Sequence, residues 1–393
     1  MKQKIEEIAQ LLSIQANPNM GLLTGIGGQI LTCSELFLRK HIPQNWLDYL
    51  HQVLEERLVN EEFITTHCGG LSGIGWLYEY LCQRKIIDFD TNALLEDADF
   101  CLENALKKDL WEGNYDFLHG GVGVALYFAK RTSKKKELVS VLNNFLEDLE
   151  KLSTKQEDGA IKWKSLILGD ITQIVYNISL SHGMASIVVL LSKLYNIEGI
   201  NKEKTEKLLR GAVNYILAQE IDYKKYGCFF PGIALESTST IYKSRLAWCY
   251  GDLGIAPALY QAGKILREDS WINKSLEILL FSATQRRNLS ENSVVDAGLC
   301  HGTAGIGHIF YRMWWNTKLP QFKDAADYWF KQTLKMAKFQ DGLAGFKTLF
   351  MPEGKTKWVN EFGFLEGVTG ICLALLTYYY ETNPKWDECL LLS

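Results

Sequence analysis

One phrase recurs seven times along this 393-residue chain and governs what it can fold into: a glycine, two residues, a second small residue, then an apolar run of helical period. The copies read TGIGGQIL from Thr24, GLSGIGWLYEYL from Gly70, GGVGVALYFAK from Gly120, HGMASIVVLLSKLY from His182, YGDLGIAPALYQAG from Tyr250, HGTAGIGHIFYRMW from His301 and EGVTGICLALLTYYY from Glu366. Their first glycines stand at Gly25, Gly70, Gly120, Gly183, Gly251, Gly302 and Gly367, at intervals of 45 to 68 residues. That is room for two helices and two loops per unit. Apolar patterns of helical period fill the gaps, as in LLEDADFCLENALKK from Leu94, ELVSVLNNFLEDLEKL from Glu137 and KTEKLLRGAVNYILAQE from Lys204. Each unit therefore reads as a helix pair with the glycine phrase opening the second helix, where glycine permits close approach and a sharp entry.

Repeats of this kind bury their apolar faces against neighbours, in an open solenoid or a closed ring. The seventh copy is as apolar as the middle ones, whereas an open array needs a polar terminal cap, so a closed ring is expected. A ring would also gather the glycine-rich helix starts around one point. Three segments depart from the helical pattern, DGAIKWKSLIL from Asp158, YGCFFPGIAL from Tyr226 and LAGFKTLFMPEGKTKWVN from Leu343. They read as long loops or short hairpins on the motif side.

Composition bounds the function. Hydrophobic residues make up 47% and charged residues 22% of the chain, the balance of a globular protein with a large core. A net charge of −4 supplies no field for gathering nucleic-acid phosphates. The basic run Lys130 to Lys136 reads as a solvated loop. The N-terminus, with Glu6 and Glu7 before any apolar run, lacks the pattern of a secretory signal, and the longest apolar stretches fall short of the ~20 residues of a membrane span. A cytoplasmic protein without a membrane span is expected. Nine cysteines scattered over the chain are then thiols, core fillers or metal ligands rather than a disulfide framework. Cys33, Cys82, Cys101 and Cys372 lie in apolar helical runs and are expected in the core.

The residues just ahead of the glycines carry the chemistry. SLSHG holds His182, AWCYG holds Cys249 and Tyr250, and GLCHG holds Cys300 and His301. If the repeats superpose, these positions converge at one mouth. Two thiols and an imidazole suit zinc, and three protein ligands leave a fourth position for water or substrate. An adjacent Cys-His pair is not zinc-finger spacing, so the repeat context carries this reading. His119 occupies the matching position in DFLHGG, while His67 and His308 are weaker candidates. Asp116 precedes Gly120 by four residues and Arg245 precedes Cys249 by four, positions equally open to surface ions or helix caps. Asp252, inside YGDLG, reads as a first-turn residue favoured by the helix dipole. No P-loop, dinucleotide fingerprint, GxSxG elbow or HExxH motif occurs. A pair of glycosidase carboxylates has no fixed spacing and is not excluded by motif.

Taken together, WCYG, CHGTAG and SHGMAS set into seven glycine repeats resemble the lanthionine synthetase C family, the cyclases of lanthipeptide biosynthesis, from Gly25 to Leu376. The resemblance implies an all-α, α,α-toroid fold of seven inner and seven outer helices in a single domain spanning residues 1–393. It implies Zn²⁺ on Cys249, Cys300 and His301, and further active-site positions at His182, Asp116, Arg245 and Tyr250. The implied reaction is addition of a precursor-peptide cysteine, activated on the metal, to dehydroalanine or dehydrobutyrine, giving a thioether ring. His182 would serve as acid or base, Asp116 would orient it, and Arg245 and Tyr250 would support the enolate. The implied partners are a dehydrated precursor peptide and a dehydratase and transporter complex, through which the enzyme would sit at the membrane periphery. Ser186 stands where the fourth repeat's second glycine would be, a change in packing more than in chemistry. Three other readings stay open: a related enzyme adding glutathione to dehydrated residues of proteins, a zinc-stabilised peptide-binding scaffold without catalysis, and a toroid acting on isoprenoids or glycans.

Overall fold

The computed structural model describes residues 1–166, 175–238, 240–351 and 354–393. It is predominantly α-helical, and the strands among these residues form only two-stranded antiparallel pairs. The helices are α1 (Lys2–Leu12), α2 (Ile26–Leu38), α3 (Gln44–Asn60), α4 (Leu71–Gln83), α5 (Thr91–Leu94), α6 (Glu96–Trp111), α7 (Gly121–Arg131), α8 (Val139–Leu152), α9 (Met184–Leu194), α10 (Lys202–Leu217), α11 (Tyr223–Tyr226), α12 (Asp252–Leu266), α13 (Asp269–Gln285), α14 (Thr303–Thr317), α15 (Pro320–Met336) and α16 (Val368–Tyr379). None is long and apolar enough to cross a membrane.

The glycine phrase opens a helix in all seven copies, with the first glycine as the residue capping α2, α4, α7, α9, α12, α14 and α16. These helices are buried nearly all round. In α9, for example, Met184 to Ser192 and Leu194 are all buried. The helices between them are amphipathic: α8 buries Val141, Leu142, Phe145, Leu146 and Leu149, one stripe of a 3.6-residue period, and leaves its other face to solvent.

The chain divides into two compact units. The first comprises Met1–Ile64, Cys68–Asp88 and Arg287–Trp386. In it the repeat helices pack in the order α14, α16, α2, α4, with α15 against α14, α3 against α2 and α1 against α16. The seventh repeat is therefore the spatial neighbour of the first. The second unit comprises Thr65–His67, Phe89–Arg286 and Asp387–Ser393. Here the order is α7, α9, α12, backed by α6 and α8, α10 and α13.

Steric crowding, more than backbone freedom, explains the leading glycines. A Cβ on Gly25 would lie 1.1 Å from the Met20 carbonyl oxygen, because the loop ahead of the helix folds back over it. Only Gly251 of the seven also needs a positive φ, of 80°. At the fourth repeat Ser186 keeps a small side chain, whose hydroxyl donates to the Gly183 carbonyl at 2.7 Å.

Two of the three segments expected to be long loops or short hairpins carry short strand pairs. Ile161–Lys162 pairs with Thr154–Lys155, Lys164–Ser165 with Val175–Tyr176, and Thr348–Phe350 with Lys357–Val359. Residues 167, 168, 352 and 353 of those segments lie outside the described residues. Among the described residues the Tyr226 segment forms no strand pair, only a bridge from Pro231 to Lys243.

Two expectations are corrected. Cys33 and Cys372 are in the core, but Cys82 and Cys101 are half-exposed, each at the margin of its helix's buried face. The basic run from Lys130 is a solvated loop only in part: Ser133, Lys134 and Lys136 are exposed, but its first two residues close α7 and are engaged. Arg131 is fully buried, with Nε and Nη2 donating to both oxygens of Asp99, and Lys130 pairs with Glu388 at 2.5 Å. Charge that looked free in the sequence satisfies carboxylates brought in from elsewhere in the chain.

Candidate metal centre and active site

The loops ahead of the repeat helices are joined to one another through their backbones. Cys300 N–H donates to the Leu365 carbonyl at 2.9 Å, Leu365 N–H to Leu23 at 2.8 Å, and Leu23 N–H to Cys68 at 2.8 Å. In the second unit, the N–H groups of Leu180 and Ser181 donate to the Cys249 carbonyl at 3.2 and 3.3 Å. Leu23, Cys68, Ser181, Cys249, Cys300 and Leu365 all stand two residues ahead of their repeat's first glycine. Backbone pairing therefore holds equivalent positions of neighbouring repeats at one level.

Two of these positions, Cys249 and Cys300, carry expected ligands, and His301 follows the second. The donor atoms of Cys249, Cys300 and His301 lie within 4.8 Å of one another, and they form the group of metal-ligand character found among the described residues. Two sulfurs and a ring nitrogen at that spacing fit a tetrahedral zinc ion with one position left open. Both thiols are nearly buried, 6% and 9% exposed. The His301 ring leaves Nε2 3.7 Å from Asp296 Oδ2, longer than a hydrogen bond but within ion-pair range. Asp296 is itself buried and accepts from the Gly298 N–H at 3.2 Å and the Leu349 N–H at 3.4 Å. Sequence reasoning missed this carboxylate; its only signal was an Asp four residues ahead of Cys300.

His182 and Asp116 meet. Nδ1 of the imidazole is 2.8 Å from Asp116 Oδ2, and Asp116 Oδ1 accepts the His119 backbone N–H at 2.7 Å. An ionised carboxylate only accepts, so the His182 proton sits on Nδ1 and Nε2 is the nitrogen left for chemistry. The Ser179 hydroxyl accepts the His182 N–H at 3.1 Å and fixes the loop. The His119 ring lies nearly parallel to that of His182, with centroids 5.9 Å apart, and burial pulls its pKa down against the opposing pull of Asp116.

Tyr250 lies with its ring centroid 6.3 Å from that of His182. Burial pushes its phenol pKa up, with Asn177 and Ser179 as polar neighbours acting the other way. Arg245 is half-buried, and its side chain makes no hydrogen bond or ion pair among the described residues.

The buried cation beside this loop is Arg286. Its Nη1 donates to Asp252 Oδ2 at 2.9 Å and its Nη2 to the Ser244 carbonyl at 2.8 Å. Asp252 opens α12 as expected, but it also accepts the N–H groups of Phe229 and Phe230 and has no exposed surface. It is an anchor between two loops and a helix, a role beyond that of a dipole residue. His67 and His308 are core histidines, buried against Phe117 and Trp386 respectively.

Residues 18–391 match the family described as lanthionine synthetase C-like protein. The chain is 26% identical over 347 residues to the nisin biosynthesis protein NisC of Lactococcus lactis subsp. lactis, covering 82% of this chain and 71% of that protein. It is 22% identical over 283 residues to glutathione S-transferase LANCL1 of Danio rerio, covering 71% and 65%. Among solved structures, nisin cyclase superposes with a TM-score of 0.76 at 20% identity, covering 100% of this chain and 97% of that one. A family match over nearly the whole chain, arriving at the same repeats that carry the Cys249, Cys300 and His301 cluster, makes this chain a member of the lanthionine synthetase C-like family.

Proposed function

We propose that this protein is a zinc-dependent lanthipeptide cyclase, built as one α,α-toroid over residues 1–393 with seven inner and seven outer helices. The observation that carries the reading is the convergence of Cys249, Cys300 and His301 at ligand spacing in a member of this family. The likeness to proteins named for nisin biosynthesis and cyclisation supports thioether formation on a peptide. The packing of α1 and α2 against α16 supports the closed toroid.

The substrate is a precursor peptide whose Ser and Thr residues were dehydrated earlier, and a dehydratase and a transporter are its expected partners. Zinc on the three ligands would keep a peptide cysteine as thiolate near neutral pH. The sulfur forms a bond to the β-carbon of dehydroalanine or dehydrobutyrine, and the π electrons move onto the carbonyl oxygen. The enolate then takes a proton at its α-carbon. His182 would take the proton of the incoming thiol on Nε2 and deliver it to that carbon, with Asp116 holding Nδ1–H and stabilising the ring while it is charged. Tyr250, beside His182, and Arg245 support the enolate oxygen.

Cys300→Ala tests the reading. The variant is expected to lose bound zinc and thioether formation together, read by metal analysis and by counting alkylatable thiols after incubation with a dehydrated peptide. A metal-free variant with full activity overturns it.

A second reading has one observation in its favour, the similarity to a protein named as a glutathione S-transferase. It is separated by offering glutathione and a dehydrated peptide without cysteine. A glutathione adduct formed faster than rings on a cysteine-containing peptide favours that reading.

A further inference from the structure

A cavity of about 280 Å³ opens next to Tyr250, lined by Pro231, Gly232, Ile233, Thr238, Tyr242 and Tyr250. We infer that it is a specificity pocket, seating an apolar or aromatic side chain of the substrate peptide within two residues of the dehydro residue. The inference rests on the cyclase reading and adds to it a substrate preference.

Three observations carry it. The first is position: Tyr250 forms one wall of the cavity, and its ring centroid lies 6.3 Å from that of His182, whose Nε2 is the nitrogen free for chemistry. Successive Cα atoms of a peptide are about 3.8 Å apart. A side chain in the cavity thus belongs to a residue one or two positions from the one reacting at His182.

The second is chemistry. Two tyrosine rings, a proline and an isoleucine offer apolar and aromatic surface, with the Thr238 hydroxyl as the other polar side-chain group on the wall. Among the described residues no charged side chain lines the cavity, so a carboxylate or ammonium would lose hydration there without an ionic partner. Tyr242 is 66% exposed and its neighbour Ile241 36% exposed, an apolar lip outside the cavity. The volume is close to the lower bound of ~300 Å³ for ligand sites, the size of one large side chain and some adjoining backbone.

The third is that the cavity is preformed. Its first wall follows Phe229 and Phe230, whose N–H groups are held by the buried Asp252 that also pairs with Arg286. Pro231 bridges to Lys243, next to Tyr242, and closes the loop on itself. Beyond Ile233, the Ala234 N–H donates to the Tyr176 carbonyl at 3.1 Å and the Leu235 N–H to Gln219 Oε1 at 2.8 Å. The Asp252 anchor thus fixes the cavity wall and the first turn after Tyr250 together. A pocket rigid before the ligand arrives loses little entropy on filling.

The test uses the zinc-loaded full-length chain and synthetic peptides with one dehydroalanine and one cysteine. The residue beside the dehydroalanine is Gly, Asp, Ile or Phe. A matched set with alanine for dehydroalanine reports binding alone, by calorimetry. The Ile and Phe peptides are expected to exceed the Gly and Asp peptides by about tenfold in kcat/KM and in affinity. Gly232→Phe should bring both ratios close to one. A Cβ at Gly232 meets no atom within 4 Å, so this change fills space without a backbone clash. Tyr242→Ala, which removes a wall instead, should reduce the ratios as well, and zinc content with circular dichroism verifies that both variants fold. Equal affinities for all four unreactive peptides in the wild type overturn the pocket, as does Gly232→Phe with its preference intact. Thiols left unconsumed in every reactive peptide count against the cyclase reading instead, and the binding series still decides the pocket.

Discussion

At the scale of single residues, buried carboxylates face the two imidazole rings to which the proposed mechanism gives the chemistry. Asp116 accepts from His182 on one oxygen and from the His119 backbone on the other, so Asp116→Asn removes the ionised acceptor that sets the His182 tautomer. Turnover should fall by about a hundredfold or more with zinc content unchanged, and a variant with wild-type kcat would remove Asp116 from the mechanism. Asp296, facing Nε2 of His301, is expected to orient that ring for the metal. Its replacement by alanine should weaken zinc binding about 10- to 100-fold, measured by competition with a chelator of known affinity. The convergence of Cys249, Cys300 and His301 and the candidacy of His182 were legible in the sequence because each sits at a fixed offset from a repeat glycine. Asp296 and Arg286 were not. Asp296 stands four residues ahead of Cys300, as Arg245 does ahead of Cys249, but no local pattern tells which ring it faces; Arg286 lies at no repeat offset and reaches Asp252 only through the packing of segments distant in sequence.

At the scale of elements, a loop turning back over the helix start demands glycine, which is why the repeat was visible at all. Gly25→Ala would put a methyl group 1.1 Å from the Met20 oxygen, and the loop would have to move. A loss of about 3 kcal/mol or more is expected from denaturant midpoints. Asn201, whose side chain caps α10 through the Lys204 N–H, provides the contrast: Asn201→Ala should cost about 1 kcal/mol, since only one cap bond is lost. Comparable losses in the two variants would count against the crowding argument. Helix periodicity predicted the amphipathic helices to within a few residues, because one apolar stripe suffices to specify them. The short strand pairs were legible as long loops or short hairpins but not in their register, since such short pairs are set by what the loops pack against.

At the scale of the whole molecule, burial converts groups that look ionisable in the sequence into parts of the core. His67 is wholly buried, bonded to the Cys389 carbonyl at 3.0 Å, and its pKa is pulled down from 6.5 to about 4. The fold accepts the neutral ring, so an unfolded chain takes up the proton first on acidification. His67's share of stability is complete above about pH 6.5 and is lost as the pH falls toward 4, by up to about 3 kcal/mol. Urea midpoints across that range should fall less steeply in His67→Gln than in the wild type, and parallel slopes would contradict the assignment. Arg131 shows the same conversion: one of a run of basic residues in the sequence, it is fully buried against Asp99. Near-neighbour regularities, a glycine every 45 to 68 residues and an apolar stripe between, were enough by themselves to determine the helix pairs and the offset at which reactive side chains stand. Only the tertiary structure decided which charges are buried, which carboxylate serves which ring and where a cavity stays open beside Tyr250. Those depend on contacts between residues far apart in sequence, and no local pattern encodes them.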